Sequence, residues 1–383
     1  MDFDPSETQQ AVAEVARSFA EGRVAPAAAE NDRRGRFPEE LVRELGALGL
    51  LAVNVPAAYG GSEAGPVAYA LALMEIAAAD CSLAVTMAVT NMVADTIARF
   101  GTEEQKRRTL PRLASAEWLA GAFALSEPHA GTDAAALRCR AERRGSGFVL
   151  NGEKQWISSG DRAGVLLTWA RTGPEKGGRG LSAFLVEGGT KGLTVGKHED
   201  KMGLRASTTV ALHFEDCEVP EGALLGREGE GYRIALSALD GGRIGIGAQA
   251  TGAMRAALQA SVRYARERQA FGHAIADFQA IAFAIADMRT AHDAARLLTL
   301  RAAALKEAGR PFTREAAMAK LFASEAVQSV ASKAVQIHGG YGYLDDFPVE
   351  RIFRDVRVQT IYEGTSEVQR MVIARELLAG GPG

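Results

Sequence analysis

No proline interrupts the chain between Pro220 and Pro311, and Ala, Leu, Arg and Glu dominate that stretch. Such a run favours long helices. The pattern predicts them over Val262–Arg268, Phe278–Lys306 and Thr313–His338. The segment before it has the opposite character. From Gly145 to Gly203 glycines are frequent, and β-branched and aromatic residues gather in short runs. Strands are expected at Phe148–Leu150, Val165–Thr168, Leu181–Val186 and Thr208–Phe214, with turns at Asn151-Gly152, Gly177-Gly178 and Gly188-Gly189. Short strands between tight turns suit an antiparallel sheet or barrel better than βαβ units. The first third reads as helices. Ser6 and Gln9 have the spacing of a capping box, as do Thr102 and Gln105. Val12, Val15, Ala16 and Phe19 follow at helical spacing. Pro38 suits the first turn of a helix whose apolar face is Leu41, Leu45 and Leu48. Leu71–Phe100 holds neither Gly nor Pro and suits one or two buried helices. The fold class expected is mostly α with a central β domain.

A chain of 383 residues can hold two or three domains and bury a large core without disulfides or metals. Its 44 Lys plus Arg against 47 Asp plus Glu leave no basic stripe, which argues against nucleic acid. Met1–Arg17 lacks a basic segment followed by an apolar one, which argues against a secretory signal. No apolar run approaches the roughly 18 residues of a membrane span; the most apolar stretch is taken to be Phe278–Met288, broken by Asp287. Cys81, Cys139 and Cys217 are far apart and form no CxxC pair. A cytoplasmic location is expected.

Several short segments carry polar groups that chemistry could use. Gly245-Ile-Gly247-Ala-Gln-Ala250 fits GxGxxA, but no strand precedes it, so close helix packing is the better reading. None of the six histidines pairs at i, i+4, so a metal site is not expected. In Ser126-Glu-Pro-His-Ala-Gly-Thr-Asp133, free N–H groups and hydroxyls could hold a phosphate or a polar ring edge; composition alone favours an ordinary turn. Trp156, beside Ser158 and Ser159, could cover a planar cofactor or fill a core. Glu363 follows Ile361 and Tyr362 and precedes Gly364, with Ser366 and Gln369 spaced as a capping box. A carboxylate there could be desolvated into a useful base, or it could be a solvated Glu favourable to a helix dipole.

Read together, LSEPHAGTD, NGEKQWISSG, KMGLRASTT, LDGGRIGIGAQA, ERQAFG, FQAI, QIHGGYGY and IYEGTSEVQR closely resemble the acyl-CoA dehydrogenase family, in its order and spacing over nearly the whole chain. The DGGRIGI form and the LSEP start look most like short-chain or branched short-chain members. The resemblance implies an N-terminal helical domain (1–118), a middle β-barrel or sheet domain (119–228) and a C-terminal four-helix bundle (229–383). It implies one FAD per subunit in a homotetramer built as a dimer of dimers.

Carried over by motif, the segment from Phe123, Ala124, Leu125 and Ser126 to Gly131 and Thr132 would line the flavin and its pyrophosphate. Trp156, Ile157 and Ser158 would cover one face of the ring. Arg268 and Gln279 would reach the FAD of a neighbouring subunit, as would Gln336, Ile337, His338, Gly339 and Gly340, and Phe271 would also bind the cofactor. Thr365, Ser366 and Glu367 would contact the nucleotide. Ser126, Thr132, Asp240, Arg243, Tyr362 and Gly364 would meet the acyl thioester or the CoA arm. Glu363 stands where most of the family carries its base. The other position used within the family is Gly242 here, which cannot take a proton. One departure is His129, where many members carry Gly.

The resemblance thus implies that Glu363 takes the α-proton of an acyl-CoA while a hydride passes to flavin N5. The product is a trans-2-enoyl thioester, and an electron-transfer flavoprotein is the expected acceptor. The alternatives are a flavin oxidase or dehydrogenase acting on a carrier-protein-bound acyl thioester, and a non-catalytic scaffold of the same fold. For the acyl pocket floor, Met87, Thr90, Asn91 and Met92 are the sequence candidates.

Overall fold

The structure, a computed structural model, describes residues 4–175 and 177–379. It opens with α1 (Glu7–Phe19), α2 (Ala25–Arg34) and α3 (Glu39–Ala47). Ser6 caps α1 as expected: its hydroxyl accepts from the Gln9 N–H at 3.3 Å, and the Gln9 side chain accepts from the Ser6 N–H at 2.9 Å. Ala16 and Phe19 face the core, while Val15 turns outward. Leu41 and Leu45 of α3 are buried, but Leu48 lies past the helix end and is exposed, so it is not part of that face.

The apolar stretch Leu71–Phe100 forms parts of two helices, α4 (Gly65–Ala79) and α5 (Cys81–Phe100). Asp80 divides them: its backbone is extended, and its carboxylate accepts from the Ser82 N–H at 2.7 Å, capping α5. Among the described residues α5 is long and apolar enough to cross a membrane, with a mean hydropathy of 1.4. This corrects the expectation that Phe278–Met288 is the most apolar run. Of the apolar window in α5, 89% is buried inside the fold, where α4 and a later helix and strand cover it. Helix α6 (Glu103–Ala114) starts at the expected Thr102–Gln105 capping box.

Eight strands then form one sheet: β1 (Ala120–Ala124), β2 (Arg140–Arg144), β3 (Gly147–Ser158), β4 (Ala163–Arg171), β5 (Leu181–Glu187), β6 (Leu193–His198), β7 (Thr209–Pro220) and β8 (Leu224–Leu225). The order is β6-β7-β3-β2-β4-β5-β8, with β1 paired in parallel to β4. Most other pairs are antiparallel, as the sequence suggested. Asn151-Gly152 does not reverse the chain. It lies inside β3 and is absorbed as a register shift against β7.

The remainder is helical: α7 (Gly231–Glu267), a small hairpin of β9 (Gln269–Ala270) and β10 (His273–Ala274), α8 (Gln279–Glu307), α9 (Thr313–His338), α10 (Pro348–Val356) and α11 (Ser366–Leu378). The predicted helix Val262–Arg268 is the end of α7, which runs for 37 residues. The glycines of α7 mark where neighbours press on its backbone. The Tyr69 hydroxyl lies at Gly245, the Thr299 hydroxyl at Gly247 and the Met74 carbonyl at Gly252. The GxGxxA run is therefore helix packing.

Three ties hold the segments in register. Trp169 of β4 is fully buried and donates through Nε1 to the Gly231 carbonyl at 2.7 Å, joining the sheet to α7. Arg354 of α10 pairs with buried Asp32 of α2 at 2.7 Å. The Leu204 N–H, in the loop before β7, donates to Asp355 of α10 at 2.6 Å. Burial pushes the Asp355 carboxyl up to about 7, against the pull of Arg351.

Candidate active site

Between α10 and α11 the chain passes through two successive left-handed residues, Glu363 (φ +53°) and Gly364 (φ +89°). Glycine adopts this conformation freely, but a glutamate there carries strain of order 1–3 kcal/mol that its surroundings must hold. Two buried side chains do so. Lys320 Nζ donates to the Gly364 carbonyl at 2.7 Å, and Gln369 Nε2 donates to the same oxygen at 2.8 Å. The turn aims the Glu363 side chain at α7. Its Oε2 is buried and has no hydrogen-bond partner. A Cβ on Gly242 would overlap this carboxylate, and it would lie 2.9 Å from Met92 Sδ. The carboxylate therefore lies against the bare backbone of Gly242, with the Met92 thioether close to the same point.

Burial pushes the Glu363 carboxyl up to about 7, while the charges of Lys320 and Arg243 oppose the rise. The desolvated reading of Glu363 is the one the geometry supports. Arg243 is buried and pairs with Asp240 at 2.5 Å; Asp240 also accepts from the Thr313 hydroxyl at 2.7 Å. Burial raises the Asp240 carboxyl and lowers the Arg243 guanidinium. The Tyr362 hydroxyl donates to Gln249 Oε1, and Gln249 Nε2 donates to the Cys81 carbonyl at 2.9 Å, so the residue before the carboxylate is tied into the core.

The loop after β1 is built around a buried ion pair. Glu127 Oε1 accepts from Lys154 Nζ at 2.8 Å and from the Cys139 N–H at 3.0 Å, and Oε2 accepts from the Arg138 N–H at 2.7 Å. Lys154 also donates to the Leu125 carbonyl at 3.1 Å. The Gln155 N–H donates to the Ser126 carbonyl at 2.9 Å, stitching the loop to β3. Just beyond, β3 bulges against β7, and Trp156 takes φ +58°. The bulge turns the indole out of the sheet: it is 56% exposed, whereas Ile157 beside it is buried. A Cβ on Gly131 would lie 4.0 Å from Trp156 Cζ3, so loop and indole share one face. Removing one partner of a buried pair strands the other charge, at a cost of about 3–5 kcal/mol. Lys154→Met is expected to lower unfolding stability by about that amount in urea titration at neutral pH. A loss below about 1 kcal/mol would show that backbone bonds alone hold the loop.

The structure divides the sequence candidates into two groups. Asp240, Arg243, Tyr362, Glu363, Gly364, Thr365 and Ser366 gather where α7, α9 and α11 meet. Thr365, not Ser366, caps α11, accepting from the Val368 N–H at 3.4 Å. The expected Ser366–Gln369 capping box does not form, because Gln369 folds back onto the Gly364 carbonyl. Ser366 Oγ is left buried without a partner beside a cleft of about 460 Å³, which Arg357, Thr360, Thr365 and exposed Glu367 also line. Of the loop residues, Ser126 is half-buried, Gly131 and Thr132 are exposed, and Ala124 and Leu125 are buried. The Phe123 ring packs 4.4 Å from Trp169. Ser158, half-buried, follows Ile157 on β3.

The second group lies at the far end of α7, about 39 Å along the helix from Gly242 at 1.5 Å per residue. Arg268 sits 5.7 Å from the Tyr341 ring centroid, and buried His338 stacks on Tyr264 at 4.3 Å. Phe271 is 93% exposed; Gln279, Gln336, Gly339 and Gly340 are exposed, and Ile337 is buried. Of the pocket-floor candidates, Met92 reaches the Glu363 slot. Thr90 accepts from the Gly121 N–H, Asn91 bonds Val53 and Leu50, and Met87 is core. His129 stands 3.6 Å from Glu127. Lys320 went unremarked in the sequence. A signal was present: it shares a helical stripe with Ala316, Ala323 and Val327, an apolar face on which a lone lysine is out of place.

The family models for the acyl-CoA dehydrogenase N-terminal, middle and C-terminal domains match residues 6–117, 122–217 and 229–378. The chain is 47% identical to acryloyl-CoA reductase (NADH) of Anaerotignum propionicum, over 99% of its own length and 96% of the relative's. It is 46% identical to the mitochondrial short-chain specific acyl-CoA dehydrogenase of Mus musculus, over 97% of this chain and 90% of that one. Butyryl-CoA dehydrogenase of Megasphaera elsdenii superposes with a TM-score of 0.97 at 43% identity, covering 99% of this chain and all of that one (100%). With a carboxylate oxygen buried at the family's motif and all three domains matched in order, the chain belongs to the acyl-CoA dehydrogenase family.

Proposed function

We propose that this chain is an FAD-dependent dehydrogenase that converts a short-chain acyl-CoA to the trans-2-enoyl-CoA, with Glu363 as the base. One observation carries the reading: Glu363 Oε2 is buried and unpartnered, and burial pushes the carboxyl up to about 7. A base needs a pKa near working pH and a lone pair free for the incoming proton, and this group has both. Substrate bound over it would exclude water and strengthen every charge interaction there.

The residues present suit FAD. A flat exposed indole stands on a bulged strand beside a loop of hydroxyls, and a buried hydroxyl, Ser366 Oγ, lacks a partner beside a cleft. Residues 126–132, Trp156–Ser158 and 365–367 would hold it. Arg268, Phe271, Gln279 and Gln336–Gly340 would serve the cofactor of a neighbouring subunit in a homotetramer. Bound FAD would supply the two-electron acceptor for the β-hydrogen, with an electron-transfer flavoprotein taking the electrons onward. The chain's own residues do the rest. The Glu363 N–H would polarise the thioester carbonyl and so acidify the α-carbon. Glu363 Oε2 would take the proton. The Asp240–Arg243 pair and the Ser126–Thr132 loop would align the thioester and its CoA arm.

Short chains are favoured because the mouse and Megasphaera relatives are named for them. The test is anaerobic bleaching of the flavin band across straight and branched acyl-CoAs of graded length. Bleaching is expected with the short members. Bleaching with long chains only, or with a carrier-bound thioester and no CoA ester, would overturn the substrate class. One relative is named for reducing an acryloyl-CoA, so the same assay is run with enoyl-CoA and dithionite-reduced protein. By microscopic reversibility, protonated Glu363 would return the proton.

A further inference from the structure

We propose that Lys320 is the positioning residue of the base: through the Gly364 carbonyl its ammonium holds the left-handed turn that carries Glu363, and its charge favours the carboxylate form. This deepens the dehydrogenase reading and rests on it.

Lys320 is fully buried on α9, and its Nζ donates to one backbone carbonyl at 2.7 Å. Among the described residues no carboxylate lies within ion-pair distance of it, so it is not one half of a structural salt bridge. A buried ammonium without a partner anion is costly, and a hydrophobic residue would fill the site more cheaply. The placement suggests a purpose. The carbonyl it grips belongs to the residue after Glu363, in a turn where a non-glycine residue stands at φ +53°. Gln369 bonds the same oxygen at 2.8 Å, but it is neutral.

The charged and titratable groups around the carboxylate divide clearly. From α9 comes Lys320 and from α7 comes Arg243, and both hold the carboxyl down against burial. Arg243 is largely answered by Asp240 at 2.5 Å. Tyr69 from α4 and the neighbouring Tyr362 are both pushed up, chiefly by burial and partly by Glu363, so both stay neutral. Asp95 of α5 is paired with Lys306 of α8 at 2.8 Å. Glu325 of α9 and Glu367 of α11 also act on Lys320, more weakly than Glu363 does, and among the described residues neither is within ion-pair distance of it. Burial lowers it to about 8, and Glu363 opposes that fall.

The test uses two variants of the FAD-loaded protein. Lys320→Met removes the donor and the charge; Lys320→Gln removes the charge and keeps a donor. In both, the acid limb of kcat/KM is expected to move up by about one pH unit, since a neighbouring positive charge is lost. Plateau kcat is expected to fall about 10- to 100-fold in Lys320→Met and less in Lys320→Gln, with KM within about 3-fold of wild type, because the turn serves proton removal more than binding. Flavin content and melting temperature are read alongside, and either variant alone reads the limb. An unmoved limb in a folded, flavin-loaded variant overturns the proposal, as does a raised KM with kcat unchanged. Wild-type protein that oxidises no acyl-CoA sinks the underlying reading as well, so the two failures are distinct.

Discussion

Glu363→Gln is expected to bind FAD and fold as wild type does while losing acyl-CoA dehydrogenation by roughly 10³-fold or more, the scale of a lost general base. The amide has the shape of the acid, so the slot against Gly242 stays filled. It also costs little stability near neutral pH. Burial pushes the carboxyl up to about 7, so near neutrality the native state already holds much of this group in its uncharged form. The sign of the pH dependence follows. The base works deprotonated, so wild-type kcat/KM is expected to rise with pH through about 7 and then level, while the residual rate of the variant lacks that limb. Lys320 and Arg243 set how low the limb lies. The measurement is single-turnover loss of the flavin band under argon from pH 5.5 to 9. Turnover near the wild-type rate would remove Glu363 from the role.

What the sequence made legible was local. The Ser6–Gln9 and Thr102–Gln105 caps form because their partners lie three residues apart, and the strands form where β-branched runs predicted them. Failures came where distant partners decide. Gly241, Gly242, Gly245, Gly247 and Gly252 lower helix propensity, yet α7 runs straight through them because other elements need that backbone bare. Asn151-Gly152 has turn chemistry, but both flanks already pair with β7. Ser366 and Gln369 have capping spacing, but the Gly364 carbonyl claims the glutamine. The site shows the same division. Spacing could not single out Glu363 among 47 acids; the family motif did. The clamp on its turn comes from α9, 43 residues away in sequence, and only the packing of α9 against α11 brings Lys320 to it.

Gly242→Ala is expected to cut kcat by about 100-fold or more, with an overpacking cost of at most about 1–3 kcal/mol in stability, because the added methyl would occupy the place of the carboxylate oxygen. The overlap is with Glu363 Oε2 itself, and Met92 Sδ lies 2.9 Å from the same point. Nor can the glutamate retreat by backbone motion: its turn is held through Gly364 by two donors, at 2.7 and 2.8 Å. The carboxylate must rotate out of line with the α-proton, and a displacement near 1 Å is enough for a loss of this size. Helix propensity runs the other way. Alanine inside a helix is favoured over glycine by about 0.5–1 kcal/mol, so a loss of activity could not be charged to a weakened α7. Gly222→Ala supplies the control, since nothing lies within 4 Å of the position its Cβ would take. Parallel kcat and melting measurements on the two variants decide the matter. Full activity in Gly242→Ala would mean that the carboxylate works from some other position, and the geometry assigned to the base would have to be abandoned.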